Sequence, residues 1–185
     1  MLIQILDDFL PRAQQDEIES TLLDWRHQFE WFRYANTNHA ANKTRADDVP
    51  QFIHGFMRAD VDDSPFSKIP LSVVEGFGVK AGQIMRAKAN LLTWEKEKII
   101  HPKHTDDAAP HFVFIYYVND ADGDTCLYEG SEIIKRISPK KGRGVLFDGK
   151  ILHASSSPVV SRQRVVINFN LQPTIDVSRF EGSEG

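Results

Sequence analysis

Arg164-Val165-Val166-Ile167-Asn168-Phe169-Asn170-Leu171 alternates cleanly along its length. Successive residues of a strand point to opposite sides of a sheet. Val165, Ile167, Phe169 and Leu171 therefore share one face, and Arg164, Val166, Asn168 and Asn170 share the other. The first face is made for an apolar core. If that core includes helices, Arg164 points the other way, into the interior of a barrel. A buried arginine without an anion is costly. Arg164 then pairs with an internal carboxylate or waits for the carboxylate of a ligand.

The same division recurs upstream. Residues 111–118 read HFVFIYYV, apolar on both faces, as expected of a strand covered on both sides. Phe112, Phe114, Tyr116 and Val118 form an aromatic face suited to packing on N-terminal helices. His111, Val113, Ile115 and Tyr117 form the other, so Tyr117 looks into the barrel. Within 83–94, Met85, Ala87, Ala89 and Leu91 lie on one side. Asn90, Leu92 and Trp94 lie on the other, with Arg86 and Lys88 further back.

From residue 83 onward the pattern has period two. It predicts strands near 83–94, 98–103, 111–118, 124–128, 132–137, 143–148, 151–153 and 163–171. Asn119-Asp120, Asp122-Gly123, Pro139 with Gly142, and Asp148-Gly149 supply turns between them. The N-terminal part predicts a strand at 2–6, a helix over about 12–26 opened by Pro11, and a strand at 29–33. A short helix at 52–57 and an amphipathic one at 69–77 follow. The polar run 34–50 is expected as a long loop and a candidate lid, with Arg33, Tyr34 and Arg45 as its contacts. Helices followed by many short antiparallel strands define an α+β chain, a double-sheet jelly roll packed on its helices.

Whole-chain numbers bound the function. At 185 residues the chain is expected to be one domain with a substantial core. A net charge of −4 gives no general attraction to nucleic acid. One cysteine, Cys126, excludes an intrachain disulfide and a cysteine-rich zinc site, and it reads as a small strand residue. No stretch approaches the length of a membrane span. The opening MLIQILDDFLPRAQQDE lacks a basic start, so a cytoplasmic location is the expectation.

Chemistry concentrates at His104-Thr105-Asp106, with His153 and Arg164 further on. Residues two apart on an extended chain face the same way, so His104 and Asp106 reach one point. Two imidazoles and a carboxylate hold a metal on one face and leave the other open, the ligand set of a non-haem Fe(II) centre. With 7 His and 26 acidic residues, a His-x-Asp pair arises readily by chance. Order and context carry the reading. His101, His111, His27, His39 and His54 read as structural, and Asp107 as solvent-facing. Lys135, Arg136, Lys140, Lys141 and Arg143 read as a solvated hairpin.

HTDD, FIYYVND, GDTCLY and PKKGRGVLFDGKILHASSSPVVSRQRVVINFNL stand in an order that resembles the Fe(II)/2-oxoglutarate-dependent oxygenase superfamily, within it the prolyl 4-hydroxylase-like group. The likeness covers about 83–171, plus the opening IQILDDFLP. It extends to small phage-encoded members of the group. It implies a double-stranded β-helix: helical support over about 1–80, a jelly-roll core over about 83–171 and a tail over 172–185. It implies His104, Asp106 and His153 as iron ligands and as the catalytic set. Arg164 would bind the distal carboxylate of 2-oxoglutarate with the Tyr117 hydroxyl, and Asn90 and Trp94 would line the cosubstrate pocket. Arg162 and Arg164 stand nine and eleven positions after His153, where the group places its basic residue at nine or ten. Arg164 is preferred because the apolar alternation starts directly after it.

The implied reaction hydroxylates an unactivated C–H bond of a prolyl or other peptidyl residue, or of a small molecule. It consumes O2 and 2-oxoglutarate and releases succinate and CO2, with ascorbate as a reductant. The alternatives are a nucleic-acid oxidative demethylase of the same superfamily and a non-catalytic metal-binding jelly roll. The acidic charge speaks against the first. The intact triad with an inward arginine speaks against the second.

Overall fold

The computed structural model describes residues 1–34, 49–59 and 61–180. Its strands are β1 (Ile3–Leu6), β2 (Phe32–Tyr34), β3 (Gln51–Arg58), β4 (Val61–Asp62), β5 (Ile84–Thr93) and β6 (Phe112–Tyr117). After them come β7 (Thr125–Glu129), β8 (Glu132–Ile137), β9 (Gly144–Asp148), β10 (Leu152–Ser155) and β11 (Gln163–Leu171). The helices are α1 (Arg12–Leu23) and α2 (Lys68–Val74). Among the described residues, eight strands form one sheet in the order β1-β9-β6-β11-β5-β3-β2, with β4 attached to β3, and β10-β7-β8 form a second. Every pairing is antiparallel. This is the jelly roll expected from the alternation, and the double-stranded β-helix that the resemblance implies.

The two faces of the large sheet do different work. Val165, Ile167, Phe169 and Leu171 join Phe114, Tyr116, Ala87 and Ala89 in a core that also takes Ile18 and Leu22 of α1 and Val73 and Val74 of α2. Burial of these side chains is worth roughly 1.5–3 kcal/mol for each large one. Phe180 closes the core by stacking on Phe77 at 4.1 Å between ring centroids, so the chain beyond β11 is docked. The opposite face turns Val113, Ile115, Tyr117 and Val166 toward Leu127 and Ile137 of the small sheet. The barrel interior lies between the sheets.

Three expectations need correction. Residues 52–57 form part of β3 and not a helix. Phe52, Ile53, Phe56 and Met57 mimic helical spacing because the register of β3 on β5 shifts between Gly55 and Met57. The extra residue, Phe56, flips the alternation by one, so Phe56 and Met57 both enter the helix-side core. Residues 98–103 make one isolated bridge, Ile100–Ser156, followed by His104–His153, and no continuous strand. Pro102 lies between them and has no N–H to give. The first 80 residues are not only helical support, since β1 to β4 widen the large sheet.

Lys135 and Arg136 are exposed on the β7–β8 hairpin as expected, whereas the rest of the basic run is not simply solvated. Arg143 and Lys140 pair with Asp7, Lys140 also with Asp8, and Lys141 with Asp16 and Glu19. These contacts fasten the turn before β9 to β1 and α1. No helix among the described residues is long and apolar enough to cross a membrane.

Candidate metal centre and cosubstrate pocket

His104 and His153 are set side by side by the backbone. The His104 amide donates to the His153 carbonyl at 3.0 Å, and the His153 amide returns the bond at 2.9 Å. The two imidazole centroids then lie 4.7 Å apart. Asp106 follows two residues after His104, and one ligand atom from each of the three side chains falls within 4.8 Å of the others. His104 Nε2 is 3.8 Å from one carboxylate oxygen and His153 Nε2 is 3.9 Å from the other.

The tautomers are set by the chain itself. His104 Nδ1 bonds the Pro102 carbonyl at 3.1 Å, and His153 Nδ1 bonds the Ile151 carbonyl at 3.3 Å. A carbonyl can only accept, so each Nδ1 carries a proton and each Nε2 faces Asp106. Such backbone partners orient histidines that ligate metals.

The electrostatics suit a cation. Asp106 is held by Arg86 Nη2 at 3.1 Å and accepts from Asn168 Nδ2 at 3.1 Å. Burial opposes its ionisation, yet His153 and the Arg86 and Lys88 cations outweigh burial and keep the carboxyl well below its usual range. Burial pushes His153 down to about 4 against the pull of Asp106, so the imidazole is neutral near pH 7. A neutral His153 and an ionised Asp106 are already in the protonation states that a divalent ion needs. The donor set fits Fe(II) and its first-row neighbours.

One pocket joins this cluster to Arg164. It is lined by His104, His153, Asn90, Leu92, Thr125 and Arg164, among others. Arg164 is only 3% exposed. Its Nε donates to the Gly123 carbonyl at 2.6 Å and its Nη2 to Thr125 Oγ1 at 2.8 Å. The Tyr117 hydroxyl donates to the same Thr125 oxygen at 2.6 Å, and the guanidinium lies 5.6 Å from the Tyr117 ring centroid. No carboxylate of the described residues pairs with it. These bonds do not exhaust its five N–H donors. A side chain at Gly123 would meet the Ser156 carbonyl at 2.4 Å and Arg164 Cδ at 3.0 Å, so only glycine lets this backbone come so close. A fixed planar cation with spare donors suits a carboxylate such as the distal one of 2-oxoglutarate.

The structure brings His104, Asp106, His153, Arg164, Tyr117 and Asn90 to this interior. Trp94 it places elsewhere: beyond the end of β5, 52% exposed, with its indole donating to the Val159 carbonyl at 2.7 Å. The parity argument carried one residue past the last strand position, where the chain has turned to pack on the loop before β11. Arg162 is exposed, whereas Arg164 is buried. Asp107 is exposed and caps the Ala109 amide. His101 and His111 are buried outside the triad, His27 bonds Ser20, and His54 bonds Glu30 and Ser64. His39, Arg45 and most of the 34–50 lid lie outside the described residues.

Four contributors were not singled out by sequence. Arg86 and Asn168 hold Asp106, Thr125 bridges Arg164 and Tyr117, and Lys88 lies deep in the same interior. Burial, with Arg86 beside it, pushes the Lys88 ammonium down to about 8. Parity had put Arg86, Lys88 and Asn168 on the inner faces of their strands. Nothing in the sequence said which of them would meet Asp106.

No protein-family model matches the chain, and no curated protein matches its sequence. Solved structures do match in fold. A prolyl-4-hydroxylase from Pseudomonas putida aligns with a TM-score of 0.61 at 13% identity, over 92% of both chains. A prolyl hydroxylase in complex with a hypoxia inducible factor oxygen degradation domain peptide, from Trichoplax adhaerens, aligns at 0.62 and 15% identity, over 92% of this chain and 83% of that one. The epimerase SnoN, in complex with Fe3+, alpha ketoglutarate and nogalamycin RO, aligns at 0.61 and 10%, over 96% and 84%. The chain thus has the fold of the 2-oxoglutarate/Fe(II) oxygenases, prolyl hydroxylases among them.

Proposed function

We propose that the chain is an Fe(II)- and 2-oxoglutarate-dependent dioxygenase that hydroxylates an unactivated C–H bond. One observation carries this reading. Two imidazoles and a carboxylate converge in the same pocket as a buried arginine that has no carboxylate partner among the described residues. His104, Asp106 and His153 would hold the iron, and Arg164 would take the distal carboxylate of 2-oxoglutarate. Iron and 2-oxoglutarate together supply an oxidant from O2, with release of succinate and CO2.

The protein's own part is orientation and shielding. The Pro102 and Ile151 carbonyls fix the two imidazoles. Arg86 and Asn168 hold Asp106 without occupying both its oxygens fully. Thr125 and the Gly123 carbonyl fix the Arg164 guanidinium, and the Tyr117 ring lies beside it. Leu92, Ile115 and Val166 line the pocket with apolar surface, which excludes water from a reactive centre. The substrate is a peptidyl residue or a small molecule. The fold shared with a prolyl hydroxylase that binds a peptide supports the first only at the level of architecture.

The test is an anaerobic titration with Fe(II) and 2-oxoglutarate, following the visible charge-transfer band that the two give together at such sites. The band is expected in the wild type and absent in His153→Ala. Arg164→Ala should need at least about tenfold more 2-oxoglutarate, as befits loss of a charge-assisted pair. A folded, iron-loaded wild type without the band would overturn the assignment and leave a metal-binding module.

A further inference from the structure

Beside the metal cluster the inner face of the large sheet carries Arg58, Arg86 and Lys88, of which only Arg86 pairs with a carboxylate among the described residues. Arg58 on β3 stands directly opposite Arg86 on β5. Like charges in opposed positions of a sheet repel. Lys88 is two residues along β5 from Arg86 and so shares its face. Arg58 and Arg86 line one cleft of about 400 Å³, and with Lys88 they line a second of about 370 Å³.

The cations are poorly matched. Arg86 spends one Nη on Asp106 and on Asn170 Oδ1 at 2.9 Å, and its buried Nε has no partner. Lys88 is half-buried. Neither its ammonium nor Arg58 forms an ion pair or hydrogen bond among the described residues. Asp63 and Asp107 lie on the rims of the two clefts, and both are exposed. Neither pairs with these three cations.

Charge accounting sharpens the mismatch, on the reading proposed above. A divalent ion, a doubly charged 2-oxoglutarate, Asp106 and Arg164 cancel one another. Arg58, Arg86 and Lys88 then face only the exposed Asp63 and Asp107 among the acidic residues that line the two clefts. Metal binding also draws on Asp106, the carboxylate that Arg86 now shares. A surface built to receive a neutral substrate would not retain three close cations in this position, since each raises the cost of the others.

We propose that the cleft at Arg58 and Arg86 receives the substrate through an anionic group, a carboxylate or a phosphate, with the Lys88 ammonium behind it. The two guanidiniums provide the planar donor pairs that such groups accept. The anion then sits next to the metal without displacing the cosubstrate, and the carbon to be oxidised is presented from a charged anchor.

The experiment uses the full chain loaded with Mn(II) and saturating 2-oxoglutarate. Benzoate, phenyl phosphate and neutral benzamide serve as probes, and paramagnetic broadening of their NMR signals reports binding near the ion. Broadening of benzoate or phenyl phosphate, with benzamide sharp, is the expected result. Arg58→Gln, at an exposed position that does not touch Asp106, should weaken it about tenfold. Lys88→Met should weaken it as well. The stronger of the two anions tells a carboxylate substrate from a phosphorylated one. Three outcomes overturn the inference: equal broadening by benzamide, anion binding indifferent to both variants, or anions displaced by more 2-oxoglutarate, which would place them at Arg164. If the Fe(II)/2-oxoglutarate band forms and these anion results fail, only this inference falls. If the band itself is absent, both fall.

Discussion

The two faces of β5 and β11 share one backbone and have opposite chemistry. Toward the helices they present Ala87, Ala89, Val165, Ile167, Phe169 and Leu171, none with appreciable exposure. Toward the barrel they present Arg86, Lys88, Asn90, Arg164, Asn168 and Asn170. The first face gains free energy by excluding water. The second spends some of it, since charged and amide groups leave water for partners that satisfy them incompletely: Arg86 Nε, Asn90 Oδ1 and Asn168 Oδ1 are buried without a hydrogen bond. The lesson is a division of labour across a single sheet. One side holds the strands in register so that the other can carry groups that would not fold together by themselves.

The largest effect should come from the stabilising side. Phe169→Ala, at a fully buried position, is expected to cost about 3–5 kcal/mol in denaturant unfolding. Arg164→Met on the same strand should cost no more than about 1–2 kcal/mol, because lost hydrogen bonds are offset by relief of a buried charge. Equal costs would show that the polar face is structural and would break the comparison.

A smaller effect tests the support of the metal ligands. Asn168→Ala should lower metal affinity about 10–100-fold while leaving the fold intact, as removal of a group that orients a ligand does. Isothermal titration with Mn(II) or Fe(II) measures it. Unchanged affinity would reduce Asn168 to a spectator of Asp106.

The smallest effect is a pH dependence. The Lys88 ammonium is pushed from its usual 10.5 down to about 8. Below pH 8 both folded and unfolded chains hold the proton, and the folded state bears the cost of burying it. Between about 8 and 10.5 the unfolded chain binds more protons, so this contribution to stability rises with pH. Relative to Lys88→Met, the wild type should therefore gain on the order of 1–2 kcal/mol across that window, discounted because the side chain still reaches solvent. Parallel stability curves for the two proteins would show that Lys88 is not held in a desolvated setting.

Much of this was legible in the chain. Strict alternation in 164–171 assigned Arg164 and Phe169 to opposite faces before any contact was known, because side-chain direction in a strand depends only on parity. The i, i+2 spacing of His104 and Asp106 did the same for the metal cluster. Parity failed where the backbone departed from a regular strand. The shift between Gly55 and Met57 made β3 read as a helix, and the turn after Thr93 took Trp94 out of the pocket. Lys140, Lys141 and Arg143 looked solvated because their partners, Asp7, Asp8, Asp16 and Glu19, are more than 100 positions away.

The sequence by itself determined which residues share a face, which side chains can bind a metal and which arginine begins the alternation. These are local properties, set by backbone geometry over two to eight residues. Only the tertiary structure decided that Arg86 would hold Asp106, that Thr125 would join Tyr117 to Arg164, and that Arg58 would oppose Arg86 beside the metal cluster. Those pairings depend on the order and register in which distant strands hydrogen-bond. Register is chosen by the fit of the whole helix-side core, which no short stretch of chain contains.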